Sequence, residues 1–297
     1  MLTVRAALLK RLRAFFDSRG FLEVETPLLS RDVVVDRHLD PLSTTLFADP
    51  REPQVGPRLW LQTSPEFAMK RLLVAGKDEL GAIYQVTRAF RGGEAGLLHN
   101  PEFTIVEWYR VGDDYAAGMQ LLADLTEEML GWGAPERLKY REAFLRYADV
   151  DPFENVAADH DLHLDLLLTQ KVEPHLGQAC PTILYDYPAS QAALAQIREG
   201  NPPVAERFEL YVRGIELANG YHELLDPAVL RERNRVNNQL RQDDGKPPLP
   251  ADSRLLAAMD HGLPACSGCA LGFDRLVMAA TGAKTIQEVM AFPIDRA

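Results

Sequence analysis

The stretch FRGGEAGLLHNPEFTIVEWY, positions 90–109, sets one arginine, three glycines, a histidine and three glutamates between two alternating apolar segments. Arg91 at a strand end, followed by Gly92 and Gly93, offers a planar cation beside backbone that a ligand can approach closely, an arrangement suited to phosphate. His99 adds a second donor. Taken alone, Arg91 is better read as a surface ion-pair partner and the glycines as a simple turn, so the phosphate reading needs support from elsewhere in the chain. Strand periodicity places Phe103, Ile105, Glu107 and Tyr109 on one face and Thr104, Val106 and Trp108 on the other. A second stretch, ELYVRGIELANGYHELLD, sets Glu209, Glu216 and Glu223 in strand-like apolar sequence around Asn219-Gly220, read as a turn or bulge. Carboxylates in such strands call for cations: a divalent ion bridging phosphates needs one or two, and a substrate ammonium needs another. Solvent-facing strand residues are the open alternative. In a third stretch, SGCALGFDRLVMAATG, the small residues Gly268, Ala270 and Gly272 lead to Asp274-Arg275 and an apolar helix. Backbone there can lie against a flat nucleotide, with Arg275 at its phosphates.

Other chemistry is poorly supported. Cys266 and Cys269 have C-x-x-C spacing, but zinc wants four ligands and only His261 stands near. His160 and His163 read as solvated residues of an acidic loop, and no Walker loop or H-E-x-x-H sequence occurs.

These residues must be positioned by surrounding elements. An amphipathic helix opens the chain and ends at Ser18-Arg19-Gly20, followed by an extended FLEVETPLLS. Residues 37–57 read as loop or short hairpin, and LWLQT as a strand. SPEFAMKRLLVAG reads as a helix with Ser64 as its cap and Pro65 at its first position. GAIYQVTRAF and EFTIVEWY form an antiparallel hairpin around the glycine-bearing loop. A helix over 114–130 precedes a segment of helix and loop reaching Gly177. TILYDYP, ERFELYVRGIELANG and GYHELL are strands; 190–198, 227–242 and 253–261 are helices. The expectation is one α+β domain with a mostly antiparallel sheet flanked by helices.

Size and composition fit an enzyme. The 297 residues are 46% hydrophobic and 25% charged, with no apolar run long enough to span a bilayer and no signal-peptide pattern. Three cysteines suit a reducing compartment, so a soluble cytoplasmic protein is expected. A net charge of −11 disfavours extensive contact with tRNA or DNA, although Arg231, Arg233, Arg235 and Arg241 could form a local basic patch.

In order and over most of the chain, these pieces resemble the catalytic domain of class II aminoacyl-tRNA synthetases of the lysyl type. GFLEVETPLL is similar to motif 1, FRGGEAGLLHNPEFTIVEWY to motif 2 and GCALGFDRLVM to motif 3; SPEF and GIELANGYHEL match the lysyl substrate-binding segments. The resemblance implies a class II synthetase-like domain over 1–297 without the anticodon-binding barrel, as in the elongation factor P lysine ligase family. That family activates (R)-β-lysine and attaches it to a lysine of elongation factor P. A truncated lysyl-tRNA synthetase paralogue acylating tRNA or a small molecule, and a non-catalytic regulatory paralogue, stay open. The resemblance further implies ATP and Mg²⁺, with tRNA disfavoured, and a homodimer through motif 1. Arg91 would hold the α-phosphate and Arg275 the terminal phosphates. His99 and Asn100 would line the ATP site with Gly92, Gly93, Leu217 and Gly272, and Phe103 would stack on adenine. Glu209 and Glu216 would coordinate Mg²⁺. Ser64, Pro65, Glu66, Glu107, Tyr109, Asn219, Tyr221, Glu223 and Ala270 would surround β-lysine or lysine. The family pattern Phe-Arg-x-Glu puts glutamate where this chain has Gly93; either backbone there or Glu94 must then supply the adenine contact.

Overall fold

The computed structural model describes residues 1–77, 79–154 and 159–297. Positions 155–158, inside the segment read as helix and loop, lie outside the described residues. Helix α1 (Leu2–Asp17) buries Leu8, Leu12, Phe15 and Phe16, a stripe at helical spacing. Short strands β1 (Leu22–Glu23), β2 (Leu29–Ser30), β3 (Ser43–Thr45) and β4 (Arg58–Leu61) precede helix α2 (Glu66–Ala75). The hairpin follows as β5 (Ala82–Phe90) and β6 (Glu102–Val111), paired antiparallel in the expected register. Helix α3 (Tyr115–Leu130) starts where the Asp114 side chain accepts from Ala117 N and stops at left-handed Gly131. Then come β7 (Glu136–Lys139), α4 (Tyr140–Tyr147), α5 (His160–Leu167), β8 (Thr182–Pro188), β9 (Ile197–Arg198), β10 (Val204–Val212) and β11 (Ile215–His222). Helices α6 (Pro227–Asp243) and α7 (Arg254–Met259), strand β12 (Cys266–Gly272) and helix α8 (Phe273–Thr281) complete the order.

The main sheet runs β1-β5-β6-β12-β11-β10-β8-β7, with β9 beside β10. Its pairs are antiparallel except β1 with β5 and β7 with β8, so the sheet is mixed at its two ends. Strands β2, β4 and β3 form a separate small sheet. One face of the main sheet packs its largest core against α1, α3 and α8 through Tyr84, Val106, Trp108, Phe208, Leu210 and Leu271. Asp274 fastens that layer: its buried carboxylate accepts from Arg5 Nη1 at 2.5 Å and from Thr104 N at 2.7 Å.

Several local expectations are corrected. Residues 190–198 are not a helix. A 3-10 turn (Ala189–Gln191) leads to Ala193 at φ 45°, an Ala195–Glu223 bridge and β9. Backbone pairing from Gln196 N to His222 O outweighs the local helix propensity of this alanine-rich stretch. The 204–222 hairpin turns at Arg213-Gly214, both at positive φ, while Asn219-Gly220 lies within β11; the register shift falls between Leu210 and Tyr211, opposite Leu217. Pro65, not Ser64, occupies the cap of α2, with no side-chain hydrogen bond. Positions 160 and 163 lie in helix α5, where His160 Nε2 contacts Pro152 O at 3.0 Å. Cys266 and Cys269, three apart on β12, sit in two different cores on opposite faces, so they cannot share a ligand.

Candidate active site

The site lies on the face of the sheet opposite α1, α3 and α8. Neighbouring strands align Glu107, Ala270, Asn219 and Glu209 in one row, and Tyr109, Gly268, Tyr221 and Arg207 in the next. Because strand side chains alternate, both rows face the same way. Small residues on β12 keep the middle of this floor low between the longer side chains of β6 and β11. A Cβ at Gly268 would collide with the Tyr109 ring and the Glu223 carboxylate.

At one end, carboxylates converge from three elements. Glu66 opens α2, Glu107 stands in mid-β6 and Glu223 follows β11; their exposures are 8%, 2% and 1%. Lys70, one helical turn after Glu66, places Nζ 2.5 Å from both Glu66 Oε1 and Glu223 Oε2. The Glu223 contact is a fully buried ion pair. Burial opposes a charged Lys70, yet the two carboxylates outweigh it and hold the ammonium protonated. Tyr109 donates its hydroxyl to Glu107 Oε1 at 2.6 Å, and Glu107 Oε2 has no partner. Burial and the Glu66 charge push Glu107 up to about 8; burial, partly offset by Lys70, pushes Glu223 up to about 7. Asn219 Oδ1 and Thr63 Oγ1 are also buried without partners. A buried site with unsatisfied acceptors and carboxylates reluctant to ionise lacks positive charge.

At the other end stand the arginines. Arg275, at the start of α8, donates to Glu216 O (2.8 Å), Leu98 O (3.3 Å) and His99 Nε2 (2.7 Å). Burial and the Arg275 charge hold His99 below its ordinary range, so its ring is the neutral acceptor of that bond. Arg91 lies 5.0 Å over the Phe103 ring, and its buried Nε has no partner. Glu94 Oε2 lies 4.0 Å from Arg91 and 3.9 Å from His99, so the carboxylate displaced by one position still turns towards both. Gly92 N donates to Asp40 O at 2.6 Å, and Gly93 takes φ 77°, the left-handed conformation that glycine allows. Asn100 is held by backbone at both ends of its amide, donating to Glu102 O and accepting from Ile294 N.

Between the two ends, Glu209 accepts from Arg207 (2.6 Å) and from the hydroxyls of Tyr187 and Tyr211 (2.6 Å each). Glu216 is 3.6 Å from Arg275, with its pKa raised by burial and by Glu209. Glu173, from the 3-10 turn after α5, joins them; burial and the charges of Glu209 and Glu216 push it up to about 7. Among the described residues no group of three such side chains cages a metal unaided. Mutual repulsion among these carboxylates nonetheless fits Mg²⁺, which needs only one or two of them when phosphate oxygens and water complete its shell.

Reading the sequence missed Lys70, Glu173 and the Arg207-Tyr187-Tyr211 support of Glu209. The Glu66–Lys70 spacing was visible, but it is also the ordinary spacing of a solvent-exposed helix pair.

The model of the family described as tRNA synthetases class II (D, K and N) matches residues 1–296. The chain belongs to this family, whose members are ATP-dependent ligases that activate amino acids. The family generally uses ATP and Mg²⁺.

Proposed function

We propose that this protein uses ATP to activate (R)-β-lysine or lysine as an adenylate and transfers it to a lysine side chain of elongation factor P. The observation that carries the reading is the buried set Glu66, Glu107 and Glu223, short of positive charge, on a sheet whose Glu216 lies within the charge influence of Arg275 and Arg91. Such a set favours an amino acid with two ammonium groups over one with an apolar side chain.

In the first step the amino-acid carboxylate attacks the α-phosphorus of ATP. The P–O bond to pyrophosphate breaks, and a mixed anhydride with AMP forms. Arg91 would steady the α-phosphate, Arg275 the leaving pyrophosphate, and Phe103 the adenine; Glu107, Tyr109, Asn219, Tyr221 and Glu223 would orient the amine groups. Positioning and charge neutralisation contribute most of the acceleration. Mg²⁺ held by Glu216 and Glu209 would neutralise phosphate charge. In the second step the neutral ε-amine of the acceptor attacks the anhydride carbonyl, the C–O bond to AMP breaks, AMP leaves with the electron pair, and the amine nitrogen gives up one proton to water as the amide forms. The expected assembly is a homodimer, favoured by the exposed Leu28, Leu29, Leu42, Leu46 and Phe47 on and around the small sheet.

ATP–pyrophosphate exchange with each lysine isomer, followed by mass spectrometry of elongation factor P and of bulk tRNA, tests the reading. Exchange with a diamino acid and one added residue mass on the protein are expected. Label on tRNA alone would overturn the acceptor, and exchange with no diamino acid would overturn the activity.

A further inference from the structure

The acidic end of the site already contains an ammonium group. Lys70 is 2% exposed, touches Glu66 and Glu223, and has Nζ 5.8 Å from the centre of the Tyr109 ring, whose hydroxyl continues to Glu107. A lysine this deep forgoes hydration and does so only where its charge is matched. Here it is over-matched. Three buried carboxyl groups face one resident cation, and Glu107 Oε2 keeps an unused acceptor, so once an entering ammonium displaces the proton on Glu107 two negative charges are left for a ligand to balance.

We propose that Lys70 is a specificity-determining positioning residue: by cancelling one of three buried carboxylate charges and fixing Glu66 and Glu223, it sets the site to accept an amino acid with two ammonium groups. The inference rests on the function proposed above and adds the charge count that selects the substrate. Without Lys70, a doubly charged ligand leaves one buried carboxylate unbalanced. With Lys70 but one carboxylate fewer, the second ammonium loses its partner. Removing both Lys70 and one carboxylate restores the count of two.

That cycle is the test. Exchange kinetics are measured on the full chain, Lys70→Met, Glu66→Gln and the double variant, using lysine, β-lysine and norleucine, in which a hydrogen atom replaces the side-chain ammonium of lysine. The unaltered protein should prefer the better lysine isomer over norleucine by about 1,000-fold or more. Lys70→Met should raise KM for that isomer about 100-fold with little change in kcat, because the deficit lies in binding. Glu66→Gln should also raise KM. The double variant should recover to within about tenfold of the starting KM, although either change alone is harmful. A lysine serving only as internal packing predicts losses that multiply in the double variant, and that result, or an unchanged KM in Lys70→Met, overturns the inference while leaving the proposed function standing. Absence of exchange by the unaltered protein with any diamino acid removes both. Should Lys70→Met fail to fold, the double variant against Glu66→Gln decides alone: recovery supports the charge count, and further loss ends it.

Discussion

The buried carboxyl of Glu107 ties the stability of the chain to pH. Its carboxyl is pushed up to about 8, so between about pH 4.5 and 8 the folded chain holds a proton that the unfolded chain has released. Stability from this group is therefore greatest at low pH and declines as pH rises through that window. Glu223 and Glu173, each raised to about 7, act in the same direction but stop contributing slope near neutrality. Replacing Glu107 by Gln should flatten the thermal-stability profile between pH 7 and 8 and raise Tm at pH 8 by about 2–6 °C, as read by scanning calorimetry. The same change should raise KM for a diamino acid at least about tenfold, because the ammonium loses its anion. In the unaltered protein KM should fall from pH 6 to 8 as Glu107 ionises. A Tm that falls on removing Glu107 would contradict this account. Glu107 and Glu223 were legible in the sequence because a carboxylate in an apolar alternating strand conflicts with burial. Lys70 was not, since its burial depends on Glu223, supplied by a strand far along the chain.

Among elements, legibility followed how local the determinants were. The β5–β6 hairpin, α3 and α6 carry their own periodicity and caps, Asp114 and Asp226 each accepting a backbone N–H. The 190–198 segment has no such autonomy, and its conformation is dictated by backbone bonds to β10 and to the end of β11. Asp274-Arg275 shows the same division at a helix start. Arg275 points to the site, while Asp274 binds α8 to α1 through Arg5 and to β6 through Thr104 N. The Arg5–Asp274 pair is mostly buried, with side-chain exposures of 15% and 2%. Asp274→Ala would leave Arg5 Nη1 and Thr104 N without their acceptor and should cost about 3–5 kcal/mol in urea unfolding. Because α8 also carries Arg275, KM for ATP should rise in step. A fall in stability with unchanged ATP kinetics would show that Arg275 is positioned independently of this anchor.

For the whole molecule, charge decides which partners can approach. The net charge is −11, and the four arginines of α6 do not reverse it locally. Arg231 pairs with Asp260 and Arg235 with Glu232, Arg233 donates to Ala193 O and Ala195 O, and Arg241 is buried against Asp36 O, Leu39 O and Asp40. A helix that reads as basic in sequence thus has its guanidinium groups committed to neighbouring backbone and acids. Nucleic-acid affinity rises with the number of phosphates neutralised, and the counterions released make it strongly salt-dependent. With its cations committed in this way, α6 can displace few such ions. Bulk tRNA should therefore bind more weakly than about 10 µM at 150 mM salt, with a slope of log K on log salt shallower than about −2. Filter binding across a salt series measures both quantities. A steep slope would mean that a phosphate-binding surface assembles elsewhere on the chain, and would make tRNA a rival to the proposed protein acceptor. A shallow slope combined with diamino-acid activation would leave a protein amine as the acceptor that this charge distribution favours.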